Sequence, residues 1–261
     1  MGRFDGKVAV VTGGGQAMGE QFVLRLAREG AHVMIGDIIP EKGEEVVAKI
    51  AAEGLPKAQF FRTDVTDETL VKTMVEKALG FTGKIDFLVN NSGIMGPVKP
   101  IEEITREEWD MTFAVNMTGM FMCTKYVLPH MKAQKKGSIV NIASVTGKRS
   151  MVQRSPYAAT KMGVIGFTRT LAEEVGPFGI RANAVCPGAI TGERQTRVFE
   201  GLAKATGKSV EEIAQSRLNM LPLRAFIDPA EVAAVVAFLL SDESCKMTGQ
   251  DINVTSGAVM Y

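Results

Sequence analysis

The feature that most constrains the fold of this chain is the alternation of strand-like and helix-like runs. Strand-like runs, rich in β-branched and other apolar residues, are predicted at 7–12, 31–37, 58–64, 85–91, 137–144, 180–188 and 250–255. Helices, with apolar residues at three- and four-residue spacing, are predicted at 18–29, 40–54, 67–80, 105–134, 157–175 and 229–240. Repeated alternation predicts an α/β fold: a doubly wound, mostly parallel sheet covered on both faces by helices.

The chain has 261 residues, and no repeat, low-complexity tract or linker interrupts the alternation. One domain over residues 1–261 is the simplest interpretation. The segment 190–227 falls outside the pattern and is long for a loop, so it is predicted to be a lid over the substrate.

Three local signals refine the helix boundaries. Thr66 is the expected N-cap of the helix at 67–80. Thr105 with Glu108 fits a capping box. Asn116 lies inside the long helix, where asparagine is locally unfavourable, so a bend is predicted there.

Charge and composition exclude several classes of protein. The net charge of +1 provides no global attraction for nucleic acid or an anionic membrane. No signal-peptide pattern and no run of about 18 apolar residues is recognised. Three widely separated cysteines match neither a disulfide framework nor a zinc site. We therefore expect a cytoplasmic protein without a bound metal.

The stretch "TGGGQAMG" (12–19) joins the first strand to the first helix, where a doubly wound sheet holds a pyrophosphate. Asp37 closes the second strand, where a carboxylate accepts hydrogen bonds from the adenosine ribose and repels a 2′-phosphate. No basic residue directly follows Asp37, so the sequence favours NAD over NADP. Asp64, at the end of the third strand, is a weaker candidate near the adenine.

Tyr157 and Lys161 lie one helical turn apart, hence on one face. Tyrosine ordinarily has a pKa of about 10, so it needs a nearby cation to act as a base near neutral pH. Ser144, "NNSG" (90–93) and "PG" (187–188) also fall at the carboxyl ends of strands, where open α/β sheets bind ligands.

The order and spacing of these motifs resemble those of the short-chain dehydrogenase/reductases over nearly the whole chain. The resemblance implies a Rossmann-like fold with about seven parallel strands, NAD(P)-dependent interconversion of alcohol and ketone, and assembly as a homotetramer or homodimer. It implies that Tyr157 is the general acid/base and that Ser144 binds the substrate oxygen. It also implies that Lys161 lowers the pKa of the tyrosine and binds the nicotinamide ribose, and that Asn116 holds a relay water. The cofactor contacts expected on this basis are Gly13, Gly15, Gln16, Ala17, Met18, Gly19, Asp37, Ile38, Asp64, Val65, Asn91, Ser92, Gly93, Tyr157, Lys161, Pro187, Gly188 and Ile190.

Two departures from the family pattern bear on the cofactor. Ala17 stands where the family turn has its middle glycine; a methyl group fits if φ there is negative, so we expect a slightly altered turn that still binds NAD. Thr191 lies one position before the place where a family threonine contacts the carboxamide, which puts that contact in doubt.

The substrate is less constrained. Arg154, Arg194 and Arg197 lie in the two segments that shape the pocket, and arginine binds carboxylate or phosphate through two parallel hydrogen bonds. We expect a small polyol, sugar or hydroxy compound, with an anionic group bound by these arginines as the sharper hypothesis and solvated surface charge as the simpler one. A bulky steroid or 3-oxoacyl substrate, and a noncatalytic NAD-binding scaffold, are the alternatives. A sugar-nucleotide epimerase is disfavoured because it needs a larger C-terminal domain.

Overall fold

A computed structural model describes residues 2–261, apart from the side chains of Arg194, Arg197 and Ala205. Within the described residues, seven parallel strands form one sheet in the order β3-β2-β1-β4-β5-β6-β7. The strands are β1 Val8–Thr12, β2 His32–Asp37, β3 Ala58–Arg62, β4 Phe87–Asn90, β5 Gly137–Ile142, β6 Ile180–Pro187 and β7 Asp251–Val254. The predicted fold class is confirmed, and the strands are one to three residues shorter than expected.

Helices cover both faces of this sheet. They are α1 Ala17–Arg28, α2 Pro40–Ala52, α3 Glu68–Leu79, α4 Arg106–Phe113, α5 Gly119–Gln134, α6 Ser155–Val175, α7 Glu193–Thr206, α8 Val210–Leu218 and α9 Pro229–Leu240. Apolar side chains of α1, α2 and α9 pack on one face, and those of α3, α5 and α6 pack on the other. Because both faces are buried, the central strands β1 and β4 are apolar up to their last residues, Thr12 and Asn90.

The chain reverses its direction of travel across the sheet beside β1. Val11 of β1 lies between Ile35 of β2 and Val89 of β4, so the connections that leave β1 and β4 diverge to opposite sides. At such a point the loops after neighbouring strands separate and leave a crevice at the carboxyl edge of the sheet. The predicted site residues follow the strands that end at this edge.

The local predictions had mixed outcomes. The capping box of Thr105 and Glu108 is confirmed at the start of α4. Thr66 as the cap of α3 is wrong: the Asp67 carboxylate accepts from Thr69 N and Leu70 N, while Thr66 donates to Asp64.

The segment 190–227 is not a simple loop, because it contains α7 and α8. Ile190 and Ile227, at its two ends, form a parallel bridge that holds its base together. Ser209 and Glu212 form a capping box at the start of α8.

The bend expected near Asn116 is a π-helical turn over Ala114–Thr118, between α4 and α5. Such turns insert an extra residue into a helix and are frequent at functional sites. Asn116 is buried in this turn, with 2 % of its surface exposed. The unfavourable asparagine therefore coincides with a break in the regular helix.

Candidate active site

The glycine turn after β1 is closely packed. Gly13 has φ of +61°, a conformation that glycine adopts without strain. A Cβ atom on Gly19 would lie 1.8 Å from the carbonyl oxygen of Gly13, so the first turn of α1 crosses directly over the loop. The side chain of Gln16, the N-cap of α1, makes no capping hydrogen bond. The amide groups at the start of α1 are thus left for a ligand.

Ala17 departs from our expectation. Its φ is +49°, in the left-handed region, so the predicted negative φ is wrong. The turn keeps the backbone shape of a glycine turn, and the alanine adopts it at a steric cost. Gly13 and Gly19 keep their expected places in the turn, and their contacts with the cofactor stay predictions.

Asp37 closes β2 beside this turn and is 5 % exposed. Its Oδ2 accepts from Gly15 N at 2.9 Å, and its Oδ1 accepts from Ile39 N at 3.1 Å. A Cβ on Gly15 would lie 3.0 Å from the same Oδ2. The carboxylate is therefore fixed against the glycine turn, and each of its oxygens keeps a second lone pair for a ligand.

Asn91 and Ser92, just after β4, are bonded to the end of β1. The Thr12 hydroxyl accepts from Asn91 N at 3.0 Å and from Ser92 N at 3.1 Å. The Asn91 amide donates to the carbonyl oxygens of Thr12 at 3.0 Å and Gly13 at 2.8 Å. These bonds hold the loops after the two strands together at the crevice.

The side chain of Asn116 is fully engaged by neighbouring groups. Its Oδ1 accepts from Ile94 N at 2.8 Å, and its Nδ2 donates to Ile94 O at 2.9 Å and to the Thr160 hydroxyl at 3.1 Å. Asn116 therefore joins the loop after β4 to α6, which carries Tyr157 and Lys161. Sequence reasoning missed Thr160, and only its position next to Lys161 could have suggested it.

Lys161 is buried, with 5 % of its surface exposed. Its ammonium group donates to the Ile142 carbonyl at 2.8 Å and lies 5.7 Å from the centroid of the Tyr157 ring. A Cβ on Gly93 would lie 3.5 Å from Lys161 Nζ and 3.2 Å from Asn116 Oδ1. The structure thus brings Asn116, Tyr157, Lys161 and Gly93 together.

Ser144 does not end β5, as predicted, but lies two residues beyond it and begins a 3₁₀ turn over Val145–Gly147. Its hydroxyl accepts from Thr146 N at 3.1 Å. A Cβ on Gly147 would lie 2.7 Å from the carbonyl oxygen of Lys161, so this turn rests directly on α6. Ser144 and the Tyr157–Lys161 pair are therefore held on neighbouring, contacting segments.

The basic residues predicted near the substrate differ in their surroundings. Arg154 precedes α6, is half-buried, and has Nη1 3.3 Å from the sulfur of Met95. Lys148, from the same loop, is bound in an ion pair with Asp251. The side chains of Arg194 and Arg197 lie outside the described residues.

The remaining predicted cofactor residues also follow strand ends. Pro187 ends β6, and Gly188 N donates to Val254 O at 2.8 Å. Thr191 is bonded to Ile227 O through its amide at 2.9 Å. Asp64 and Val65 lie two and three residues past β3, with Val65 buried.

Comparison with known proteins gives the class of this chain. The model of the family described as short chain dehydrogenase matches residues 7–203, and the chain belongs to this family. It is thus an oxidoreductase that acts on CH–OH donors with a nicotinamide cofactor.

Individual relatives differ in what they act on. The chain is 40 % identical over 259 residues to 3-oxoacyl-(acyl-carrier-protein) reductase of Thermotoga maritima, covering 99 % of this chain and 100 % of that protein. It is 36 % identical over 257 residues to levodione reductase of Leifsonia aquatica, covering 98 % and 95 %.

Solved structures show the same spread. NAD⁺-bound xylitol dehydrogenase is similar with a TM-score of 0.91 and 34 % identity, covering 97 % of this chain and 99 % of that one. Actinorhodin polyketide ketoreductase with NADPH is similar with a TM-score of 0.93 and 33 % identity, covering both chains fully, at 100 %. The relatives therefore leave both the substrate and the choice of NAD or NADP to be argued from this chain.

The crevice fits a dinucleotide on its own geometry. Glycines occupy the positions of the turn after β1 where a Cβ atom would fill the space. The N-terminus of α1 faces this turn without a side-chain cap. In the described part of the chain, no group of three or more His, Cys, Asp or Glu residues is arranged to hold a metal ion. No helix there is long and apolar enough to cross a membrane.

Proposed function

We propose that this protein is an NAD-dependent dehydrogenase that interconverts a secondary alcohol and a ketone, with Tyr157 as general acid/base. The observation that carries the proposal is the buried ammonium group of Lys161, fixed on Ile142 O and close to the Tyr157 ring. A positive charge so close stabilises the phenolate form of Tyr157. The sequence alone could give only the spacing of this pair.

A nicotinamide cofactor, held by the glycine turn, Asp37 and Lys161, would supply the acceptor for the hydride of the carbinol carbon. Tyr157 takes the proton of the substrate hydroxyl and returns it in the reverse direction. Ser144 donates to the same oxygen: its hydroxyl oxygen accepts from Thr146 N, and its proton remains available to the substrate. Asn116 fixes Ile94 and α6; its role in holding a relay water stays a prediction.

Replacement of Tyr157 by phenylalanine tests this assignment. We expect Tyr157→Phe to lower kcat by about 100- to 10,000-fold while NAD affinity, measured by calorimetry, stays near the wild-type value. Tyr126→Phe on α5, which removes a phenol that binds the exposed Glu68, is the matched control and should keep turnover. Full turnover in Tyr157→Phe would contradict the proposal, and loss of NAD binding would indicate a structural role.

The substrate we propose is a small polyol, sugar or hydroxy compound that carries an anionic group near Arg154. Arg154 supports this because it is half-buried and lies three residues before Tyr157, directly before the first residue of α6. A similar structure is that of a xylitol dehydrogenase, which supports a polyol. A bulky apolar substrate is the second candidate, favoured by the exposed Met151 and Met220 and by the 3-oxoacyl reductase among the relatives.

Kinetics on matched substrates separate these candidates. We expect Arg154→Ala to lower kcat/KM for an anionic hydroxy acid by about 10-fold or more, while a neutral diol loses little. Arg149→Ala, which removes an exposed arginine of the same loop, is the control. An equal loss on both substrates, or none, would remove the anion-binding role.

The predicted cytoplasmic location, the homotetrameric or homodimeric assembly and the lid role of 190–227 stay predictions.

A further inference from the structure

Lys148 is a buried cation that the proposed reaction does not use. Its side chain is only 8 % exposed, although it lies four residues after Ser144. Its ammonium group lies 2.6 Å from Asp251 Oδ2 and donates to the carbonyl oxygens of Asp251 at 2.8 Å and Tyr261 at 2.9 Å. These three partners account for the three protons of a lysine ammonium. Lys148 is thus saturated by β7 and the segment that follows it, and it does not face the substrate as a free charge.

Asp251, the first residue of β7, connects three parts of the site. Its Oδ1 lies 2.8 Å from Arg169 of α6, and its Oδ2 lies against Lys148. Burial alone would raise the pKa of Asp251, but the hydrogen bonds from Lys148 and Arg169 outweigh it and lower the pKa below its ordinary value. The carboxylate therefore stays charged near neutral pH and holds the Ser144 turn, α6 and β7 together.

The two ends of the turn that begins at Ser144 are anchored by different groups. Ala143 N donates to Val185 O at 2.8 Å and fixes its start, and Gly147 rests on the backbone of α6. Its end is held by the side chain of Lys148 and by Tyr261, whose phenol donates to Lys148 O at 3.1 Å. If Lys148 lost its charge, this end of the turn would lose its ion pair with Asp251 and keep the bond from the Tyr261 phenol and the local backbone bonds to Val145.

We propose that Lys148, through its buried ion pair with Asp251, is a positioning residue that fixes the hydroxyl of Ser144 for the substrate oxygen. This inference rests on the proposed function, because it requires that Ser144 binds that oxygen. Small displacements of a positioning group are costly to catalysis: a shift of about 1 Å can lower a rate by about 100-fold. The ion pair therefore affects turnover through the position of Ser144, and NAD affinity should not depend on it.

The test is a set of variants measured by steady-state kinetics and NAD calorimetry. We expect Lys148→Met to lower kcat by about 10-fold or more, with NAD affinity within about two-fold of the wild type. Lys148→Arg should keep most of the wild-type kcat, since it keeps the charge. Asp251→Asn should give a loss of kcat between those of Lys148→Met and Lys148→Arg. The matched control is Lys136→Met, directly before β5, which breaks an exposed ion pair with Asp242. This variant should keep the wild-type kcat.

A double variant shows whether the effect passes through Ser144. In the Ser144→Ala background, Lys148→Met should change kcat by less than about two-fold, because the group that it positions is already absent. If the loss of kcat in the double variant equals the product of the losses in the two single variants, the inference is overturned. An unchanged kcat in Lys148→Met would overturn it as well. Full turnover in Ser144→Ala would contradict the role of Ser144 on which this inference rests, whereas full turnover in Tyr157→Phe would contradict the proposed function, so the two failures are distinguishable.

Hydrogen exchange of the protein without cofactor gives a readout that does not depend on activity. Lys148→Met should speed exchange in the peptide that contains Thr146 and Gly147, whose amides bond to Ser144. Lys136→Met should not. If Lys148→Met folds poorly, Lys148→Gln and Asp251→Asn answer the same question, and unchanged exchange in both would overturn the inference.

Discussion

At the scale of single residues, Ala17 carries the clearest conflict between local preference and fold. Its φ of +49° lies in the left-handed region, where a Cβ meets the following carbonyl group and costs about 1–2 kcal/mol. The surrounding turn imposes this conformation, because α1 must begin directly over Gly13. Residues held in such conformations cluster at ligand sites, which fits the place of Ala17 at the dinucleotide crevice.

Replacement of Ala17 by glycine should therefore stabilise the protein. We expect Ala17→Gly to raise the free energy of unfolding by about 0.5–1 kcal/mol, since the relieved strain exceeds the backbone entropy that glycine loses on folding. Urea unfolding without cofactor measures the change. Ala48→Gly, at an exposed position inside α2, is the control and should destabilise by about 1 kcal/mol. Equal destabilisation by both substitutions would contradict strain at residue 17.

Asp37 determines the expected choice of cofactor. A 2′-phosphate would meet a buried carboxylate, so we expect NAD to be preferred over NADP by about 100-fold in kcat/KM. Asp37→Ser should reduce that preference by about 10-fold or more, because it removes the repulsion and a ribose acceptor together. Glu173→Gln, at the far end of α6, should leave the ratio unchanged. A wild-type preference for NADP would refute the role assigned to Asp37.

At the scale of elements, the strand ends were predictable because buried strands are continuous apolar runs with polar residues directly after them. Asp37 closes β2, as the sequence indicated, and β4 ends at Asn90, one residue before its predicted end. The ends of β3 and β5 were placed two residues too late, which put Ser144 on a strand instead of on a turn. The chain leaves β5 early because Gly147 must reach the backbone of α6, a contact that no local pattern records.

The helices show a similar limit. The break at Asn116 was predictable from an unfavourable residue, whereas its π-helical form depends on bonds to Ile94 and Thr160, which lie far away in sequence. The helix α8 carried a readable signal, the capping box of Ser209 and Glu212, within the segment that was predicted to be a loop. The pair of Lys148 and Asp251 joins positions too distant for any spacing rule to reveal.

At the scale of the whole molecule, carboxylates tie the ends of the chain to the central fold. Glu29, just after α1, accepts from Arg3 Nε at 2.6 Å and Nη2 at 2.9 Å and also pairs with Arg25. Burial would raise the pKa of Glu29, but the bonds from Arg3 and Arg25 lower it below its ordinary value. Asp251 is held in the same way at the carboxyl edge of the sheet. Both groups favour the folded state only while they are ionised.

The acid side of the stability profile follows from this. Because the pKa of Glu29 is lower in the folded protein than its ordinary value of 4.5, its contribution is complete above pH 4.5 and is lost as the pH falls through the folded pKa. Glu29→Gln should therefore be less stable than the wild type at pH 7, and the difference should shrink steadily below pH 4.5. Urea unfolding at several pH values measures both curves, and Glu44→Gln, at an exposed position of α2, should run parallel to the wild type. A Glu29→Gln curve that also runs parallel to the wild type down to pH 3, on the order of one pH unit or more below the ordinary pKa, would show that Glu29 does not contribute through its charge.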